Sequence, residues 1–315
     1  MKRKQKKLLS MLGGAAALLC AALITISEYV PIPGIPSWSE LSGKVTSQGG
    51  QSSLSEGVDG DVSVHFIDVG QGDSILIKAK DKTILIDAGE NGKGETVLNY
   101  LKTQKVEKLD YVIGTHPHSD HIGGLDEVMR KMEVGMLMMP RIPDDIVPTS
   151  KTYEDVLQTA ADKGLKIKAA KAEETLTIAD GVTLTILGPV QDYDDLNNMS
   201  IVAKLTYGNT SFLFTGDAEK QAEADLVKRY PDLLDSDVLK MGHHGSSTSS
   251  SEQFFQAVSP QCAVICCGKD NPYGHPHKET LELLSKTDTP YYSTEQNGSI
   301  VFTTDGKNIS IRAEQ

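Results

Sequence analysis

The apolar run LDYVIGT, residues 109–115, passes without a break into HPHSDH, residues 116–121, so that three histidines and an aspartate fill six positions where a strand should end. A short run rich in β-branched and aromatic residues reads as a buried strand. Imidazoles and carboxylates cannot follow it into a core without partners. The chain must therefore gather those partners where the strand stops, and the remaining histidines indicate where they come from. Seven of the eight lie in three short segments, HPHSDH, GHHGS (242–246) and YGHPH (273–277).

The rest of the chain is organised around the same kind of junction. After residue 60, DVSVHFIDVGQGDSILIKAKDKTILIDAG reads as three short strands in a meander, then ETVLNYLKTQ as a helix, LDYVIGT as a strand and GGLDEVMRKM as a helix. VGMLMMP and YEDVLQTAADKG repeat the alternation. A second half does the same: VTLTILG, SIVAKLTYG and TSFLFTGD are strands, with Gly208-Asn209 closing a hairpin, and then helices alternate with SDVLKMG and QCAVICCG before a hairpin at Asp305-Gly306. Two such halves predict two mixed sheets packed face to face with helices outside. In layered folds of this kind chemistry collects at strand ends, which is where HPHSDH, FTGD and KMGHHGSS fall. The stretch GQGD, residues 70–73, lacks the lysine and following helix of a phosphate-cradling loop and reads as a tight turn between strands.

His116 and His118 are two apart in extended chain, so both rings can face one metal ion, with Pro117 stiffening the loop. Asp120 and His121 follow at the turn into a helix and can face a second ion. A pair of ions needs a carboxylate that spans both, and Asp217, at the end of SFLFTGD, is the candidate. His243 or His244 would complete the second ion. Imidazole and carboxylate suit zinc, with manganese as an alternative. Gly123 and Gly124 open a helix whose amides could assist an anion. Asp120 and His275 are the catalytic candidates, His275 as a donor to a leaving group. His244, Asn198 and Ser246 are candidates to face substrate.

Taken together, HFIDVGQGDSILI, TILIDAG, THPHSDHIGG, NNMSIV, FLFTGD, LKMGHHGSS and NPYGHPH, in that order, resemble the metallo-β-lactamase fold hydrolases. They are closest to the branch that holds the hydrolase domain of the competence protein ComEC and the pneumococcal phosphorylcholine esterase. The resemblance implies an α+β four-layer αββα sandwich with two divalent ions. It implies His116 and His118 as ligands of the first ion, Asp120, His121 and His243 as ligands of the second, Asp217 as the bridge, and Asp87 as a carboxylate orienting a ligand from behind. It also implies a metal-bound hydroxide as nucleophile. Many relatives carry a further histidine where this chain has Asn197-Asn198-Met199-Ser200, which shifts the expectation from a lactamase to a phosphodiesterase acting on DNA or a cell-wall phosphoester. A lactam, lactone or other ester hydrolase is the alternative within enzymes. A metal-stabilised module binding DNA or cell wall is the alternative outside them.

Five basic residues precede an uncharged apolar run from Leu8 to Ile26, so residues 1–30 read as a signal peptide or signal anchor and residues 31–60, rich in Gly, Ser and Gln, as a flexible linker to a hydrolase domain at 61–315. The arrangement predicts an exported protein, anchored to the outer face of the cytoplasmic membrane or secreted, with no obligate protein partner inferred. The chain carries a net −12, and its first thirty residues hold five positive charges and one negative, so the remainder carries −16. Diffuse attraction to a polyanion is thereby excluded, and an anionic substrate must be held by something local and positive. Cys20 reads as membrane filler, and Cys262, Cys266 and Cys267 as small buried residues rather than a disulfide framework.

Overall fold

In the computed structural model, the described residues are 53–55, 58 and 60–314. The signal or anchor segment, Cys20 and most of the linker lie outside them. Among the described residues the strands form two sheets. The first has nine strands, in the spatial order 53–55, Asn308–Ala313, Ile300–Thr304, Val62–Phe66, Ile75–Ala79, Lys82–Ile86, Lys108–Ile113, Glu133–Met139 and Ile167–Ala169. The second has seven, in the order Tyr291–Ser293, Cys262–Ile265, Val238–Lys240, Thr210–Phe214, Val202–Tyr207, Val182–Gly188 and Thr175–Ala179. Each sheet is antiparallel over the meander and parallel where helices intervene: Lys82–Ile86 pairs parallel with Lys108–Ile113, and Thr210–Phe214 parallel with Val238–Lys240. The expected hairpin forms at Gly208-Asn209, with Tyr207 opposite Thr210. No described helix is long and apolar enough to cross a membrane.

Strand periodicity explains the layers. Val62, Val64 and Phe66, then Ile75, Ile77, Ile84 and Ile86, turn to the inner face, where they meet Leu184, Phe212, Phe214 and Val264 of the other sheet in one buried cluster. The alternate residues Leu76, Leu85, Val112 and Leu137 turn outward and are covered by the helices Gly94–Thr103, Leu125–Lys131 and Lys151–Asp162. On the far side Leu213, Leu239 and Ala263 are covered by Lys220–Arg229, Glu252–Val258 and Lys278–Lys286. The order is helix, sheet, sheet, helix, as expected for the αββα sandwich. Cys262, Cys266 and Cys267 are all free and buried.

The stretch around GQGD departs from expectation. It joins Val62–Phe66 to Ile75–Ala79 as a loop of residues 67–74 rather than a tight turn, and it folds down onto the histidine motif. Asp73 N donates to Asp120 O at 3.1 Å, and a Cβ on Gly72 would stand 2.2 Å from that same carbonyl, so only glycine permits the approach.

His65, on Val62–Phe66, points outward under the helix Gly94–Thr103, its Nε2 2.8 Å from Ser63 Oγ and its Nδ1 3.0 Å from the Tyr100 hydroxyl. Burial, with Lys78 and Arg312 nearby, lowers its pKa from 6.5 to about 4. The unfolded chain therefore takes up a proton between those values that the folded chain refuses. Stability is unaffected above pH 6.5 and falls as pH drops toward 4. Replacing His65 by Gln should remove a pH-dependent loss of about 2 kcal/mol by pH 4.5. Urea denaturation of wild type and H65Q at pH 7.0 and pH 4.5 measures it, and equal pH dependence in the two proteins would refute the assignment.

Candidate metal centre

The site lies where strands of both sheets end. Beyond Lys108–Ile113 the chain runs through Thr115, His116 and His118 into a one-turn helix, Ser119–Ile122, with the His118 carbonyl accepting from the N–H groups of His121 and Ile122. Beyond Thr210–Phe214, Gly216 at φ +51 turns Asp217 into the same space. Beyond Val238–Lys240, the GHHG segment holds His243 and His244 at φ +49 and +56, a left-handed backbone that non-glycine residues seldom adopt. Asp87, just past Lys82–Ile86, is also left-handed at φ +59.

These turns converge on the Asp217 carboxylate, which is 1% exposed. Its Oδ1 is 3.1 Å from His121 Nε2, and its Oδ2 is 3.9 Å from His116 Nε2, 3.6 Å from His243 Nε2 and 3.5 Å from His244 Nε2. His116 Nε2 is 3.0 Å from His118 Nδ1, and His244 Nε2 is 3.1 Å from Asp120 Oδ2. All six candidates, His116, His118, Asp120, His121, Asp217 and His243, therefore meet in one cluster, together with His244. His243 and His244 divide differently from expectation. His244 is buried, with Nδ1 held by the Cys266 carbonyl at 2.9 Å, whereas His243 is partly exposed and its Nδ1 faces Glu219 at 3.1 Å. Both present Nε2 to Asp217.

Groups behind the cluster fix its rings. Asp87 Oδ2 is 2.8 Å from His121 Nδ1, and the carboxylate also accepts from the backbone and hydroxyl of Thr115, so His121 Nε2 is left to face inward. Burial raises the Asp87 pKa, with His121 and Thr115 opposing. Asp73 and Lys240 were not among the expected residues. Lys240 is fully buried, its Nζ 2.5 Å from Asp73 Oδ2 and 2.9 Å from the Gly216 carbonyl it donates to. Asp73, His121, Asp217 and His244 offer metal-ligating atoms within 4.8 Å of one another. Asp73, however, reaches His244 and His121 on their Nδ1 sides, at 3.3 and 3.9 Å, and one of its oxygens is held by Lys240. It is placed as a support behind the rings. Burial alone would raise the pKa of Asp73, but Lys240 and His244 hold it below the usual carboxylate range.

The residues fit divalent cations. Asp73, Asp87 and Asp217 are buried and Asp120 partly exposed, against one permanent positive charge, Lys240. Asp217 Oδ1 and His121 Nε2 face each other at 3.1 Å, with no other hydrogen-bond partner for either. Without bound ions, protons would supply the balance. Burial opposes a charge on His244, yet Asp217, Asp120 and Asp73 lift its pKa to about 9, and the pKa of His121 is raised against burial by Asp217 and Asp87. Bound ions would take the place of those protons.

A cleft of about 280 Å³ opens over the cluster, with Gln71, His118, Asn197, Tyr273 and His275 in its walls. Asn198 and Ser246 do not line it. Asn198 is turned inward, its Oδ1 accepting from Glu219 and Ala222 N–H at the start of Lys220–Arg229 and its Nδ2 donating to Asp195, so its neighbour Asn197 faces the cleft instead. The Ser246 hydroxyl is engaged by Thr248. Gly123 and Gly124 serve close packing rather than an anion: a Cβ on either would lie within 2.4 Å of backbone in residues 88–91, and Gly124 N already donates to Gly89 O. His277 links loops, accepting from Ser247 N at 2.9 Å.

The model of the metallo-beta-lactamase superfamily matches residues 67–269. ComE operon protein 3 of Bacillus subtilis is 35% identical over 258 residues, covering 76% of this chain and 32% of that protein. Exodeoxyribonuclease WalJ of Streptococcus pneumoniae is 42% identical over 60 residues, 19% of this chain and 22% of that protein. The chain thus spans about a third or less of the curated relatives it matches. Among solved structures, Igni18, a metallo hydrolase of the archaeon Ignicoccus hospitalis, superposes with a TM-score of 0.52 at 18% identity, over 77% of this chain and 100% of that one, a likeness of fold.

Removing one member of the buried pair should be far worse than removing both. Asp73→Ala leaves Lys240 charged and enclosed and should cost about 3–5 kcal/mol, whereas D73A combined with Lys240→Met should recover at least half of that. Urea unfolding of the two variants decides it, and a double variant no more stable than D73A would refute the pairing.

Proposed function

The chain belongs to the metallo-beta-lactamase superfamily, and from that premise we propose that it is a metal-dependent phosphodiesterase of the ComEC-related branch. The observation that carries the reading is the placement of Asp217, a buried carboxylate with the Nε2 atoms of His116, His121, His243 and His244 all within 3.1 to 3.9 Å of its oxygens. In this reading His116, His118 and Asp217 hold one ion, and Asp120, His121, Asp217 and a histidine of GHHG hold the other. Divalent ions bound there supply Lewis-acid stabilisation of charge developing on phosphoryl oxygens and an activated water. Asp87 and Asp73 keep the rings aimed. The absence of a histidine in Asn197–Ser200 would leave the first ion with fewer nitrogen donors, and the similarity to WalJ, an exodeoxyribonuclease, supports a phosphodiester substrate.

His275 takes a narrower role than proton donor. Burial, with His244 and His243 beside it, lowers its pKa to about 4, so the ring is neutral at pH 7. Added cations would lower it further. It can offer a hydrogen bond to a leaving or attacking oxygen at the cleft wall, while a full proton must come from solvent.

Purified protein, stripped by chelator and reloaded with zinc or manganese, should hydrolyse bis-p-nitrophenyl phosphate, p-nitrophenylphosphorylcholine or linear single-stranded DNA in preference to nitrocefin. Changing His116 and His118 together to Ala should lower turnover by about a hundredfold or more with the circular dichroism spectrum unchanged. Turnover by the stripped protein, or nitrocefin as the preferred substrate, would refute the reading. Export is proposed from the sequence of residues 1–30 alone, and protease digestion of intact cells should remove the hydrolase domain if it faces outward.

A further inference from the structure

One aromatic ring stands open at the mouth of the cleft. Tyr273 is 59% exposed, and it lines the same cleft as Asp120, Asp217 and His244. One of its faces lies against the His275 ring, with centroids 5.6 Å apart and planes 20° from parallel. The loop beneath is braced. Asn271 accepts from His275 N at 3.0 Å and donates to the carbonyls of Gly268 and His275, while His277 Nε2 lies 3.1 Å from the Tyr273 carbonyl. The ring is therefore held outward by a rigid support with its second face free.

Charge narrows what can cover that face. None of the described residues lining the cleft is Lys or Arg. A phosphoester entering it finds no Lys or Arg to grip a backbone, so affinity beyond the ions must come from another source. A flat ring stacked on an imidazole suits another flat ring. Quaternary ammonium groups are held by cages of several aromatic side chains, and the cleft walls contain no Phe, Trp or second Tyr. A volume of about 280 Å³ accommodates one nucleoside-sized group.

The geometry points to Tyr273 as the stacking platform for an unpaired nucleobase next to the scissile phosphate, the residue that makes a single-stranded or frayed end the preferred substrate. The inference rests on the phosphodiesterase reading. It is tested with two esters sharing one leaving group, thymidine 5′-(p-nitrophenyl phosphate) and methyl p-nitrophenyl phosphate, on wild type, Y273A, Y273F and Y273W. The ratio of kcat/KM for the nucleoside ester to that for the methyl ester should fall about tenfold in Y273A, chiefly through KM, and be kept in Y273F and Y273W. A merely structural role lowers both esters together and leaves the ratio unmoved, which would overturn the inference. So would a tenfold loss confined to p-nitrophenylphosphorylcholine. If wild type hydrolyses none of these esters, the phosphodiesterase reading falls by itself. Stacking is then read from the fluorescence quenching of 2-aminopurine in a single-stranded oligonucleotide, where equal binding by wild type and Y273A would overturn it.

Discussion

Three buried carboxylates and a fourth at the floor of a cleft crowd together, and their mutual repulsion governs the site. At an effective dielectric of 20, two charges 4 Å apart interact by about 4 kcal/mol. Asp73, Asp87, Asp120 and Asp217 cannot all stay ionised without nearby positive charge. The one permanent cation, Lys240, lies off centre, 2.5 Å from Asp73 and 3.8 Å from Asp217. The deficit is thus concentrated at Asp217 and Asp120, beneath the open cleft. Protons on His121 and His244 meet it in the bare chain, and divalent ions are the groups of matching charge and donor preference. The same imbalance that makes the bare site costly makes it a place where cations bind.

Delivering the groups to that point requires unfavourable backbone. Asp87, His243 and His244 all adopt positive φ within a residue or a few of a strand end. Each such residue costs on the order of 1–3 kcal/mol and persists only when its surroundings leave no alternative. The surroundings here are the three apolar layers, which fix the strand ends of both sheets against one another. The clasp is completed by loops: Asp73 N bonds Asp120 O, and Ala88 N bonds His121 O at 2.8 Å, so the histidine motif is held by backbone from two neighbouring strand ends.

Much of this was legible before any coordinates. The short β-rich runs VSVHF and TILID predict strands, and the clustering of histidines after LDYVIGT predicts the location of the site, because apolar period and ligand spacing are local properties. Asp73 and Lys240 were not legible. An aspartate after GQG and a lysine before MGHHG each look ordinary, and only the pairing of distant strand ends shows that they neutralise one another. Asn198 failed for a related reason. Two adjacent asparagines are equivalent in sequence, and the turn into Lys220–Arg229 decides that Asn198 caps the helix while Asn197 faces the cleft. A signal for Lys240 did exist: a charged residue in the middle of an otherwise apolar VLKM run must find a buried carboxylate.

The charge distribution bears on how a substrate would arrive. With −16 on residues 31–315, the field of the protein opposes a polyanion at long range, and the screening length of about 8 Å at physiological ionic strength limits that opposition to near approach. A polymer laid along such a surface would meet carboxylates over its whole length. A chain end or a single looped-out group meets them only briefly before it reaches the cleft, where bound ions would reverse the sign of the potential. Under the phosphodiesterase proposal, an acidic body with a small local cationic centre would favour substrates presented one group at a time.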